Sequence, residues 1–294
     1  MPTLRVEQFD LPLTLESGQI FRYDRIRDRF LIRTGERGFC VAQRNDHIEY
    51  HGIDRNALVR FFRLDEDLRL REPLRSRHEL RPLLDRWAGL RLIRQEPWEC
   101  LVSFVTSSCC NIPRIRRLLN ALCQHAGRPA LCGNAACSRS CPLKETDERP
   151  RIHTFPLPAD IPDAATLRSL GFGFRADFLA SISQSVTPAS LEGLRSQSYA
   201  DACRLLRHLP GVGQKVADCV LLFALDFSEA FPIDVHVRRA ALRRLFNGRP
   251  ARDAEIRRAA LDYYGTHAGF AQQLFFLCSR NGLASECTER LTAE

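Results

Sequence analysis

No apolar run in this sequence approaches the roughly 20 residues that cross a bilayer as a helix, and Met1 to Asp10 carries acidic and polar residues where a secretory signal needs an apolar stretch. No membrane partner is expected, and the expected location is inside the cell. Lysine is nearly missing, so almost all of the positive charge is arginine. The planar arginine fork suits phosphate oxygens and guanine edges, although GC-rich coding enriches arginine as well. With Lys+Arg at 43 and Asp+Glu at 35 the formal net charge is +8, a positive field suited to polyanions. Internal repeats are absent too. Cysteine, by contrast, is plentiful, with 12 residues. A small secreted domain would use them as disulfides. Here 294 residues at 45% hydrophobic content can bury a sizeable core, and Cys100, Cys203, Cys219 and Cys278 fall inside apolar helical patterns where reduced, buried thiols are ordinary.

From Leu11 to about Gly52 the pattern is strand-like. Phe30-Leu31-Ile32, Phe39-Cys40-Val41 and His47 to Tyr50 are short apolar runs separated by Gly35 to Gly38 and by Arg44-Asn45-Asp46, which reads as hairpins of an antiparallel sheet. Beyond about Asp54 the period becomes helical, first in Leu58, Phe61 and Phe62, later in Leu101, Phe104 and Val105. Asn111 caps a helix whose early Pro113 is tolerated and whose apolar face is Ile112, Ile115, Leu118, Leu119 and Leu122. Residues 128–151 hold no sustained period and read as a loop insertion. The order is therefore that of an α+β chain: a small N-terminal antiparallel β domain with flanking helices, 1–90, followed by a mainly helical body, 91–294.

Within that body, Tyr199 to His208 and Gln214 to Leu225 read as two helices broken by Leu209-Pro210-Gly211-Val212-Gly213, so 199–225 is a helix, a tight hairpin and a helix. Backbone amides at Gly211, Val212 and Gly213 and at the start of the second helix can face a phosphate unobstructed. By itself the motif is as compatible with a plain helix connection. Lys215 lies in the first turn of the second helix, where the positive helix end disfavours a cation by about 0.3–1 kcal/mol. An amine nucleophile must be neutral, and burial or neighbours must complete that activation. Further on, Pro232-Ile233-Asp234-Val235-His236 enters another helix with Asp234 as its natural N-cap.

The run from Leu209 to Cys219, followed by Pro232 to His236, resembles the helix-hairpin-helix glycosylases, specifically their 8-oxoguanine DNA glycosylase branch. The resemblance extends back to Ser17-Gly18-Gln19-Ile20-Phe21-Arg22, through Ile93 to Cys100 and Ser107 to Ile115, and forward to Gly269-Phe270-Ala271-Gln272. It implies a bifunctional glycosylase and AP lyase acting as a monomer on duplex DNA that contains oxidised guanine, with no cofactor required. Lys215 would attack the sugar C1′ and form a Schiff base, and Asp234 would stabilise the cationic sugar and help the lysine shed its proton. The Gly18 carbonyl would accept the N7 hydrogen of the oxidised base, Gln272 would read its pairing edge, and Phe276 with Cys219 would sandwich it. Phe174 would wedge into the vacated stack, Arg114 and Arg175 would hold the unpaired cytosine, and His236 would approach a phosphate beside the lesion.

The chain departs from that pattern where an Asn-Asn-Asn run is expected, carrying Cys109-Cys110-Asn111 instead. Two thiols near the void bond weakly and fill space, which implies relaxed selectivity for the opposite base or slower turnover. Cys123, Cys132, Cys137 and Cys141, with His125 nearby, offer enough ligand chemistry for structural zinc, the alternative being free thiols in a polar loop. Only Cys278 and Cys287 remain where endonuclease-III-like relatives gather four cysteines, so no iron–sulfur cluster is expected. Two rival readings stay open: a monofunctional glycosylase for alkylated bases, and a non-catalytic DNA-binding protein that uses only the hairpin.

Overall fold

A computed structural model describes residues 1–130 and 152–282. Residues 131–151 of the expected loop lie outside the described residues, as do the candidate ligands Cys132, Cys137 and Cys141.

Five strands, β1 (Thr3–Arg5), β2 (Tyr23–Ile26), β3 (Arg29–Thr34), β4 (Arg37–Arg44) and β5 (His47–His51), form an antiparallel sheet in the order β1-β5-β4-β3-β2. Register pairs Phe30 with Val41 and Ile32 with Phe39, which puts four large apolar side chains on one face. That face packs on Leu58, Phe61 and Phe62 of helix α2 (Arg55–Phe61) and its cap. The opposite face carries Leu31 and Cys40, covered by Ile152. Asn45 turns the β4–β5 hairpin with φ of 53°, a left-handed conformation that asparagine tolerates.

The strand-like reading of the segment after Leu11 needs one correction, because Leu11–Glu16 is helix α1. Asp10 caps it by accepting from the Leu13 amide, Pro12 suits the first turn, and Leu11, Thr14 and Leu15 form its buried side. Leu11, Leu13 and Leu15 alternate as a strand's apolar residues do, and six residues are too few to separate a short helix from a strand by period alone.

Two short helices, α3 (Glu72–Arg75) and α4 (Arg81–Arg86), lead to the body. It is built from α5 (Pro97–Thr106), α6 (Ile112–Ala126), α7 (Ala164–Ser169), α8 (Arg175–Ser185), α9 (Pro188–Glu192), α10 (Tyr199–Arg207), α11 (Gln214–Phe223), α12 (Val235–Phe246), α13 (Asp253–Tyr264) and α14 (Ala268–Arg280). A two-stranded ladder, β6 (Pro129–Ala130) with β7 (Ile152–His153), flanks residues 131–151. Helices α5 and α11 are buried nearly all round, as central helices of a bundle must be. Leu74, Leu80, Leu83, Trp87 and Leu90 join the core of the body, whereas Ile93 returns to the core of the sheet. Chain segments from both sides of residue 90 are thus interleaved.

Buried polar groups fasten sheet to helices. Arg22 pairs with Glu99 at 3.1 Å, both nearly inaccessible, and Arg22 also donates to the His153 carbonyl. The Gly35 amide donates to the second Glu99 oxygen at 2.6 Å. Breaking such a pair from one side leaves a buried charge uncompensated, which costs about 3–5 kcal/mol.

Candidate functional site

The hairpin places one of its two glycines in close quarters. Gly211 has φ of 73°, and a Cβ there would sit 2.4 Å from the Phe178 ring, so only glycine fits. Val212 is buried in the core and its amide already donates to the Leu209 carbonyl, which removes it from the expected set of phosphate donors. Gly213 caps α11 without a side-chain hydrogen bond, leaving the first-turn amides to an external anion.

Behind the hairpin lies a fully buried carboxylate. Asp218 accepts from the Tyr199 hydroxyl at 2.6 Å, Gln214 Nε2 at 2.9 Å and Arg257 Nε at 3.0 Å, tying α10, α11 and α13 together. Burial holds its carboxyl above the usual carboxylate range even though Arg257 pulls the other way.

Lys215 opens onto a cavity of about 720 Å³ that is also lined by Gly18, Cys109, Cys110, Asn111, Cys219, Asp234, His236, Gln272 and Phe276. Segments more than 250 residues apart in sequence therefore meet at one wall, and the volume falls in the roughly 300–1,000 Å³ range of small-molecule pockets. The Gly18 turn is held from both sides. Gln273 Nε2 donates to the Ser17 carbonyl at 2.8 Å and Gln95 Nε2 to the Gln19 carbonyl at 2.9 Å, while among the described residues no donor engages the Gly18 carbonyl. Gln272 is buried, yet its Oε1 has no hydrogen-bond partner there, and the same is true of His236 Nδ1. The His236 ring meets Phe276 edge-on at 5.7 Å. A buried polar atom left without a partner on a cavity wall is available to a bound molecule.

The lysine has an unanticipated partner. Lys215 Nζ donates to Ser107 Oγ at 3.0 Å and lies 5.1 Å from the Phe104 ring centroid. Asp234 shares the cavity but makes no ion pair with it among the described residues; its Oδ1 caps α12 by accepting from the Val237 amide at 2.8 Å. Burial pushes the Cys219 thiol up to about 12, with Lys215 opposing. At the far end of α5, the Glu96 carboxyl accepts from the Trp98 and Glu99 amides, and burial raises it to about 7.

Phe174 stands out at 54% exposure, edge-on to Phe178. Arg114 is exposed at the start of α6, while Asn111 caps that helix by accepting from the Arg114 amide. Arg175 differs from its expected posture. It is 3% exposed, and its guanidinium donates to the carbonyls of Ser108, Cys109 and Phe172, so its fork is spent on the turn that carries the thiols. Cys109 in that turn is exposed with φ of 51°. Cys123, the described member of the zinc set, is buried in the core, its thiol raised to about 12 by burial. Among the described residues no group of three or more His, Cys, Asp or Glu is placed to hold a metal, and no helix is long and apolar enough to cross a membrane. The sequence reading missed Ser107, Phe104, Phe21, Gln273 and Arg280, all of which line the cavity. Only the fold brings them there.

Residues 3–101 match the 8-oxoguanine DNA glycosylase N-terminal domain family. A probable N-glycosylase/DNA lyase from Methanothermobacter thermautotrophicus is 31% identical over 224 residues, covering 68% of this chain and 67% of that protein. An N-glycosylase/DNA lyase from Saccharomyces cerevisiae is 31% identical over 238 residues, covering 68% of this chain. The match spans 59% of the yeast protein's length, less than two thirds. Among solved structures, MBOgg1 in complex with a low affinity DNA ligand superposes with a TM-score of 0.85 at 28% identity, covering 95% of both chains. The Clostridium acetobutylicum 8-oxoguanine glycosylase/lyase, solved with double-stranded DNA containing cytosine opposite 8-oxoG, gives a TM-score of 0.83 at 26% identity over 94% of both chains.

Proposed function

The chain belongs to the N-glycosylase/DNA lyase family, and from that premise we propose that it flips 8-oxoguanine out of duplex DNA, excises it and then cleaves the strand. The observation that carries the reading is the convergence of Lys215, Asp234, Gly18, Gln272 and Phe276 on one cavity. Neither rival reading requires all five.

In the proposed reaction the glycosidic bond breaks with its electron pair leaving on the base, and the sugar C1′ becomes cationic. The Asp234 carboxylate stabilises that charge once the bound DNA closes the site to water, where such stabilisation is worth several kcal/mol. Neutral Lys215 Nζ bonds to C1′, ring opening gives the Schiff base, and loss of the C2′ proton expels the 3′ phosphate. The Gly18 carbonyl accepts the N7 hydrogen that oxidised guanine has and guanine lacks. A site built to accept that hydrogen meets a lone pair instead in guanine, and the mismatch penalises the undamaged base. The orphan Gln272 Oε1 takes a donor from the pairing edge, and Phe276 and Cys219 close on the ring faces. Phe174 fills the vacated stack, and exposed Arg114 reaches the unpaired cytosine. Arg175 serves that cytosine indirectly, by fixing the Ser108–Cys109 turn. The same reading has the protein act as a monomer inside the cell, with its DNA and without a required cofactor.

Borohydride trapping on duplexes with 8-oxoguanine opposite each of the four bases tests this, with Lys215→Gln alongside. Lysine occurs only at positions 144 and 215, so peptide mapping of the adduct separates them. An adduct on Lys215 that the variant loses supports the reading. Base release without an adduct moves the chain to the monofunctional class, and tight binding without release leaves only a binding protein.

A further inference from the structure

We propose that Ser107 is the positioning residue of Lys215, holding one amine hydrogen so that the nitrogen's lone pair turns away from the Phe104 wall and into the cavity. The inference rests on the nucleophile role proposed for Lys215. Ser107 is the C-cap residue of α5, and its hydroxyl donates to the Phe104 carbonyl at 2.7 Å. A hydroxyl has one hydrogen. With that hydrogen committed, Ser107 Oγ can only accept from Lys215 Nζ, at 3.0 Å.

At this end of α5 Lys215 meets only electron-rich groups. Ser107 Oγ accepts an N–H, the Phe104 ring presents its negative face at 5.1 Å, and the helix C-terminus adds its partial negative charge. None of the three can take the proton. Among the described residues, the titratable groups that line the cavity with the amine are Asp234 and His236 from α12, Cys219 from α11, Cys109 and Cys110 from the turn, and Arg280 from α14, with Cys100 of α5 also within electrostatic reach of it. Asp234 is the one among them with a carboxylate oxygen, Oδ2, not used in capping. The amine is therefore docked on the end of α5 through one N–H. Once deprotonated it keeps one N–H on Ser107, which restricts the lone pair to the two tetrahedral positions that face away from Ser107. Ser107 thus slows proton loss and improves aim, two effects that a substitution separates by sign.

The experiment compares the full-length chain with Ser107→Ala and Ser107→Thr. It measures single-turnover adduct formation across the pH range and duplex affinity by fluorescence anisotropy. Ser107→Ala is expected to lower the plateau rate by about 10- to 100-fold, to move the acid limb of the profile to lower pH by about half to one unit, and to leave affinity unchanged. Ser107→Thr, which keeps the acceptor, is expected to restore both plateau and limb. An Ala variant with the parent plateau and limb overturns the proposal. So does a lower plateau with an unmoved limb and no rescue by threonine, which assigns Ser107 to packing alone. A parent chain that forms no adduct at any pH overturns the nucleophile reading itself, and that outcome is recognisable before any variant is made.

Discussion

Replacing Gly18 by alanine tests whether this turn forms the wall of the base pocket. Gly18 has φ of 86°, and a Cβ there would lie 2.9 Å from Phe276 Cε1 and 3.2 Å from Cζ. An L-residue in the left-handed region costs roughly 1–2 kcal/mol. Carbon atoms prefer about 3.5–4.0 Å, so the ring must retreat by roughly half an ångström or more. Phe276 borders the cavity and is only partly buried, so it can swing into open space, and the overpacking cost stays below the ~1–3 kcal/mol of a closed core. Stability should fall by about 1–2 kcal/mol, a Tm loss of roughly 2–8 °C. Activity should fall much further, because the displaced ring occupies the place of the base: about 100-fold or more in single-turnover excision well below Tm. Gly248→Ala is the control, since φ there is 78° and a Cβ meets nothing within 4 Å. It should show the backbone cost with parent activity. If Gly18→Ala excises 8-oxoguanine at the parent rate, Gly18 is not a wall of the base pocket and the recognition argument fails.

Three further predictions concern the scaffold. Asp218→Ala strips Tyr199, Gln214 and Arg257 of a common acceptor; a loss of about 3–5 kcal/mol should appear in thermal unfolding as roughly 10 °C, and a shift under about 2 °C would refute the network's role. Glu96 has its carboxyl raised from 4.5 to about 7, so the folded chain holds that proton more tightly than the unfolded one and stability should fall as pH climbs through this window, by up to about 3 kcal/mol. Denaturant melts of Glu96→Gln should show a flatter pH dependence than the parent, and parallel curves would contradict the linkage. Cys109→Asn places a residue tolerant of left-handed φ at 51° and should gain about 0.5–1 kcal/mol. Combined with Cys110→Asn it should raise the preference for cytosine opposite the lesion about tenfold, as read from excision rates on the four duplexes, and an unchanged ranking would remove the thiols from opposite-base selection.

The strands at 29–34, 37–44 and 47–51 and the helices capped by Asn111 and Asp234 were legible because their signals are local: alternation, turn residues and a capping side chain within three residues of its target. The Lys215 hairpin was legible for the same reason. Helix α1 was hidden because six residues hold too little period, and the postures of Arg175 and Val212 because a sequence names a donor without naming its acceptor. Arg175 reaches the Ser108 carbonyl across 67 positions, and Lys215 reaches Ser107 across 108. No periodicity carries that information. What decides such pairings is that α5 and α11 lie side by side in the core of the body, so the end of α5 delivers Phe104, Ser107 and the Cys109 turn to the start of α11, where Lys215 sits. The surroundings of Lys215 therefore depend on a helix to which the sequence reading assigns no site residue, and substitutions along α5 should alter the lysine's environment even where they line no part of the cavity.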